Sequence, residues 1–177
     1  MTRKRYILIF GFLLYFFGLF SQNAVKIDGL GLNNLYKIDN EVFRSEQPTD
    51  KAFAKLEKYG IKEILNLRNW HSDDKKARNS KLILYRIPMR AEKIKDNDVI
   101  QALKIIKNRK GSILIHCKHG SDRTGLIVAM YRIVFQNWTK EQAIEEMTKE
   151  KFGFHSIYTN IVSYIQNANI KDIKEQL

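Results

Sequence analysis

The sequence predicts an α/β fold: one domain built on a central, mostly parallel sheet flanked by helices. Three observations carry that expectation. Short β-branched runs alternate with amphipathic helical stretches, as in strand-helix-strand crossovers. Residues 22–177 have the length of one domain and can bury a real core, with 44% hydrophobic and 28% charged residues as in ordinary globular chains. Finally, a strand at Ile113 to His116 runs through a loop into a helix, which in an open α/β sheet places the ligand beyond the strands' carboxyl ends.

Each element has its own signal. Leu35 to Ile38 and Glu41 to Arg44 read as a hairpin turned by Asp39-Asn40. Pro48-Thr49-Asp50 starts a helix that ends at Gly60, with Phe53, Leu56 and Tyr59 on one face. Ile61 to Leu67 is a central strand and Leu82 to Ile87 another. Asp96 or Asp98 is expected to cap a helix reaching about Asn108, and Ile113 to His116 completes the parallel strands. Leu126 to Tyr131 opens the next helix. Thr139-Lys140-Glu141-Gln142 spells a capping box, and Ser156 is expected to cap a final amphipathic helix carrying Ile161, Tyr164 and Ile165.

Residues 1–21 are different material. Arg3, Lys4 and Arg5 precede an apolar run from Tyr6 to Phe20, and Ser21-Gln22-Asn23 turns polar, the order of a secretory signal. The run is short for a membrane span. Export to the periplasm or medium with cleavage is expected, an uncleaved membrane anchor being the alternative. The chain carries a net charge of +12, and loss of residues 1–21, with three basic residues and no acid, leaves +9. Such a surplus suits nucleic acid or anionic membrane. Here no recognition helix, aromatic platform or Arg-rich arm accompanies it, so no nucleic-acid partner is expected, and membrane contact only through an uncleaved N-terminus. A solvated Lys-rich surface and the steering of a polyanionic substrate both remain open.

Chemistry concentrates in His116-Cys117-Lys118-His119-Gly120-Ser121-Asp122-Arg123-Thr124-Gly125. A Cys and an Arg five residues apart can surround one phosphate. A loop entering a helix aims unpaired N–H groups and the positive end of the helix dipole inward, which favours a bound dianion and a thiolate alike. Cys117 is thus a candidate nucleophile, and Arg123 offers a planar fork for two phosphoryl oxygens. Thr124 is placed to give its hydroxyl to the sulfur. Lys118, His119, Gly120, Ser121 and Asp122 complete the phosphate-binding loop, with His116 supporting it. Lys118 and His119 add charge that suits a ligand with several phosphates, or simply a solvated rim. Other readings of the lone cysteine are a buried apolar residue, a sulfurtransferase loop, a phosphate-binding module without turnover, or zinc held with His116 and His119. The last lacks a second ligand cluster at recognised spacing.

The same residues resemble a known family. His116-Cys117, five residues and Arg123-Thr124-Gly125 resemble the active-site loop of the cysteine-dependent protein tyrosine and dual-specificity phosphatases. Arg44-Ser45-Glu46-Gln47-Pro48 and Ile64-Leu65-Asn66-Leu67-Arg68 resemble the compact bacterial branch related to the plant-and-fungi atypical dual-specificity phosphatases. The resemblance implies the phosphotyrosine phosphatase fold and hydrolysis of phosphate monoesters through a cysteinyl-phosphate, with no metal or organic cofactor. It also implies a phosphorylated protein, inositol phosphate or phosphoinositide as substrate. It breaks at the general acid, which in most such enzymes is an Asp on a separate loop. Where that loop is expected, Ile87-Pro88-Met89-Arg90-Ala91-Glu92 holds no Asp, and Glu92 is the nearest carboxyl. Asp122 resembles the Asp of the Asp-Arg pair in myotubularin lipid phosphatases and certain secreted bacterial phosphatases, where it serves as the acid. It could equally brace the loop by accepting backbone N–H bonds or pairing with Lys118. Asp73 and Asp74 read as a polar, solvated loop beside Trp70 and His71.

Overall fold

The computed structural model describes residues 23–149 and 151–177, so the export segment read at residues 1–21 lies outside the described residues. Among those described, six strands form one sheet: β1 (Val25–Lys26), β2 (Tyr36–Lys37), β3 (Val42–Ser45), β4 (Glu63–Arg68), β5 (Ile83–Met89) and β6 (Ile113–His116). Their spatial order is β1-β2-β3-β6-β4-β5. β3, β6, β4 and β5 run parallel, while β1 and β2 add an antiparallel edge. The α/β sandwich expected from the sequence is the observed one.

Among the described residues seven helices accompany the sheet: α1 (Asp50–Tyr59), α2 (Asp74–Ala77), α3 (Asp96–Lys107), α4 (Asp122–Gln136), α5 (Lys140–Lys149), α6 (Thr159–Asn167) and α7 (Ile170–Glu175). Alternation along β6 divides the core. Ile113 and Ile115 pack in a cluster with Leu103 and Ile106 of α3 and Ile127 of α4, whereas Leu114 joins Phe53 and Leu56 of α1 on the other face. β4 does the same, with Leu65 and Leu67 against Ile64. A sheet covered on both sides explains why successive residues of these strands are apolar rather than alternating with polar ones, as in Ile64-Leu65 and Ile113-Leu114-Ile115.

Several helix ends follow the sequence. Thr49 caps α1 by accepting from the Ala52 N–H, and Gly60 closes it at φ +110°. Thr139 and Gln142 form the capping box reciprocally, at 3.1 and 2.9 Å. Others do not. Asp96 and Asp98 lie inside the first turn of α3, whose cap position is Lys95 with no side-chain bond. Carboxylates in a first turn still favour the helix through its dipole. Ser156 does not cap α6, which starts three residues later after Tyr158. Tyr59 at the end of α1 is half exposed, yet its ring meets Phe43 edge-on at 6.0 Å, at the border of the cluster that holds Phe53 and Leu56.

Candidate active site

β6 stops at His116, and residues 117–121 turn into α4, so the motif forms the expected strand-loop-helix elbow. Parallel pairing sets Ser45 and Asn66 on either side of His116, which brings the two upstream motifs against the loop. The first of them, with Asn34, holds the loop's carbonyls. Gln47 N–H donates to the Lys118 carbonyl at 3.1 Å, Asn34 Nδ2 to that of His119 at 2.9 Å, and Arg44 Nη2 to that of Gly120 at 2.6 Å. Among the described residues, no backbone acceptor takes the N–H groups of residues 118–121. Tied carbonyls and free N–H groups at a helix N-terminus make a concave anion site. Gly120 is required there: its φ is +73°, and a Cβ would collide with the Ser45 carbonyl.

Arg44 is buried beneath the loop and stacks on the Phe152 ring at 3.9 Å. Burial lowers its guanidinium to about 10, so it stays charged at neutral pH. Cys117 is 2% exposed at the start of the loop. Arg123 Nη1 leans on the carbonyls of Leu67 and Met89 at 3.4 and 3.3 Å, at the carboxyl ends of β4 and β5. Its Nε is buried without a partner among the described residues. The Thr124 hydroxyl is likewise buried and unpartnered, so the structure shows no Thr124–Cys117 hydrogen bond. Ser121 spends its hydroxyl on the Phe152 carbonyl at 2.7 Å, leaving only its backbone N–H for an anion.

Behind the nucleophile, His116 Nε2 meets Asp73 Oδ2 at 2.7 Å, and Nδ1 faces the Cys117 carbonyl at 3.2 Å. Both ring nitrogens thus face oxygen atoms, which fixes the ring's orientation. Asp73 is therefore not in a solvated loop: it is 4% exposed and also accepts from Gln47 Nε2 at 2.8 Å. Burial alone pushes its carboxyl up, but the hydrogen bonds and charge of His116, with Gln47, prevail and hold it below the usual carboxylate value. Gln47 Oε1 in turn accepts from Arg68 Nη1 at 3.1 Å. Arg68 is a further cation near the loop, its guanidinium lowered by burial and by the neighbouring Arg123 charge.

Asp122 is 7% exposed and does not pair with Lys118. Its Oδ1 accepts from the His155 N–H at 2.9 Å, and both oxygens lie 3.0 Å from His155 Nδ1. Glu92 is at the surface, where its own backbone N–H and then Arg90, 2.6 Å away, hold its carboxyl below the usual range. A cavity of about 290 Å³ opens beside Arg123 between Trp70, Met89, Arg90 and Tyr158.

Residues 30–177 match the model of the tyrosine phosphatase family. The chain belongs to that family. It is 32% identical over 145 residues to the dual specificity protein phosphatase TpbA of Pseudomonas aeruginosa, covering 80% of this chain and 65% of the relative. The chain thus spans just under two thirds of that protein's length. The inositol diphosphatase DSP5 of Arabidopsis thaliana is 31% identical over 131 residues, 66% of this chain and 61% of that one. The crystal structure of P. aeruginosa TpbA superposes with a TM-score of 0.77 at 30% identity, over 86% of this chain and 94% of that one. The catalytic core of the PP-IP phosphatase SIW14 of S. cerevisiae, in complex with citrate, gives 0.70 at 25% identity over 81% and 90%. The family match contains every loop residue singled out above and both upstream motifs. Sequence reading missed Asp73 and His155 as partners. For Asp73 the only signal was that His116 needs something to hold it.

Proposed function

We propose that the protein hydrolyses phosphate monoesters through a cysteinyl-phosphate, and that residues 1–21 direct its export. The observation that supports this best is the buried Cys117 opening a loop whose N–H groups at residues 118–121 have no backbone acceptor among the described residues, with Arg123 in the first turn of the helix that follows. In the proposed cycle the Cys117 thiolate attacks phosphorus in line. The Sγ–P bond forms as the bond from phosphorus to the leaving oxygen breaks. The cradle and the Arg123 fork carry the charge spread over the equatorial oxygens. Asp122, with His155 behind it, protonates the departing oxygen. Water then attacks the thiophosphate, giving up its proton to Asp122, and inorganic phosphate leaves with the thiolate restored. Thr124 is assigned to the departing sulfur, its hydroxyl being buried and without a partner among the described residues.

The substrate class follows from the surroundings. A pTyr complex is described for TpbA, and the plant and yeast relatives are named for inositol diphosphates and PP-IP. Lys118 and His119 are exposed on the loop and Arg68 lies close to Arg123 and Cys117, and this basic company supports inositol phosphates or phosphoinositides over a lone phosphotyrosine. The decisive assay uses a chromogenic aryl phosphate with and without vanadate. Vanadate-sensitive turnover that vanishes in Cys117→Ser, with vanadate binding retained, is the expected result. Turnover surviving in that variant removes the covalent mechanism. Binding without turnover in the wild type makes the protein a capture module.

A further inference from the structure

Asp122 is also one corner of a second arrangement. One ligand atom each from His119, Asp122 and His155 lies within 4.8 Å of the other two. We propose that these three side chains bind a divalent cation of the zinc class at the rim of the phosphate loop, and that its binding suppresses turnover.

The donor set selects the ion. Two imidazoles and one carboxylate suit borderline cations and are poor ligands for magnesium or calcium, which prefer oxygen alone. The spacing is close to what is needed, since tetrahedral bonds of about 2.1 Å put ligand atoms about 3.4 Å apart. His155 Nδ1 and the Asp122 oxygens, at 3.0 Å, need only part slightly to reach it. His119 and His155 are exposed, so the third corner closes by rotating a side chain into open solvent.

The backbone under the cluster is built to hold it. Asn34 Nδ2 donates to the His119 carbonyl at 2.9 Å and to the Phe152 carbonyl at 2.8 Å, clamping the two segments that carry the histidines. Ser121 Oγ adds a third tie to Phe152, and the His155 N–H fixes the nearly buried Asp122 carboxylate from behind. Ligands oriented by such outer contacts lose little freedom on binding metal. The suppression of turnover rests on the proton-donor role proposed above, because a carboxylate bound to a cation cannot pass a proton. Binding itself does not depend on that role.

The test uses full-length Cys117→Ser protein, in which neither turnover nor the thiolate interferes, and measures Zn²⁺ uptake by competition with a chromogenic chelator. One equivalent is expected to bind. In the same background His119→Ala and His155→Ala should each weaken binding on the order of tenfold or more, His71→Ala should leave it unchanged, and excess Mg²⁺ should not compete. Both histidines of the cluster are exposed, so circular dichroism should report folded variants. Unchanged affinity in both would overturn the site, as would binding seen with Cys117 present and lost in Cys117→Ser. With the thiol restored, Zn²⁺ should inhibit wild type more strongly than His155→Ala. Equal inhibition would place the effect at the Cys117 thiolate and overturn the regulatory half.

Discussion

Asp122 can serve as an acid or as a brace, and the leaving group tells the two apart. An alkoxide needs a proton as it departs, whereas a nitrophenolate hardly does. Asp122→Asn keeps the volume and one acceptor for the His155 N–H but has no acidic proton. Steady-state kinetics should show a loss on the order of a hundredfold on alkyl phosphates and much less on activated aryl esters. Equal losses, with weaker vanadate binding, would assign Asp122 to bracing alone. The search would then pass to Glu92, which lines the cavity beside Arg123 and whose carboxyl is held below the usual range by its own backbone N–H and by Arg90. Asp73 carries a different expectation. Its folded carboxyl binds a proton more weakly than the ordinary value of 3.8, so its stabilising contribution is complete above that value and fades as pH falls below it. Urea midpoints of wild type and Asp73→Asn should therefore differ at pH 7 and converge in acid; a constant gap would deny Asp73 that charged role. Cys117, Arg123 and their loop were legible because they adjoin in sequence. Asp73 stands 43 residues from His116 and His155 stands 33 from Asp122, so only folding reveals either pair.

Among the elements, the elbow between β6 and α4 is fixed by one backbone conformation. Gly120→Ala forces an L-residue into φ +73° and drives a Cβ into the Ser45 backbone. Strain of this kind costs on the order of 1–3 kcal/mol, and relief comes only by moving the cradle. Lower urea midpoint together with weaker vanadate binding is expected; loss of stability with unchanged vanadate affinity would show that the cradle tolerates the shift. Strand β6 was legible because burial on both faces leaves the apolar run Ile113-Leu114-Ile115, and β4 because Ile64, Leu65 and Leu67 dominate it despite the buried Asn66. Helix starts were read less well. An Asp or Ser near a helix start is a capping signal only when its own backbone stays extended, and Asp96 is already helical. β1, α2 and α7 are too short to carry a periodic signal of their own, and it is packing that holds them.

For the molecule as a whole, two expectations concern the N-terminus and the charge. Expressed in a bacterium with its native start, the protein should appear outside the cytoplasm with a mature end near Gln22 or Asn23, read by mass spectrometry of the intact chain. Full-length protein in the cytoplasm would reject export. The net charge of +12, or +9 without residues 1–21, acts at a distance whichever form is mature. If that field steers substrate, kcat/KM for an inositol polyphosphate should fall steeply between low and physiological salt, because screening shortens the reach of the field to about 8 Å. An aryl monophosphate, with less charge to steer, should respond weakly. Lys118→Ala should narrow the gap between the two substrates at low salt while sparing aryl phosphate turnover in relative terms, since Lys118 is exposed at the cup's rim. Parallel salt slopes for both substrates would mean that the lysines only solvate the surface. A strong preference for phosphotyrosine peptides at every salt concentration would move the source of selectivity from charge to the cavity beside Arg123, where Trp70 and Tyr158 could flank an aromatic ring.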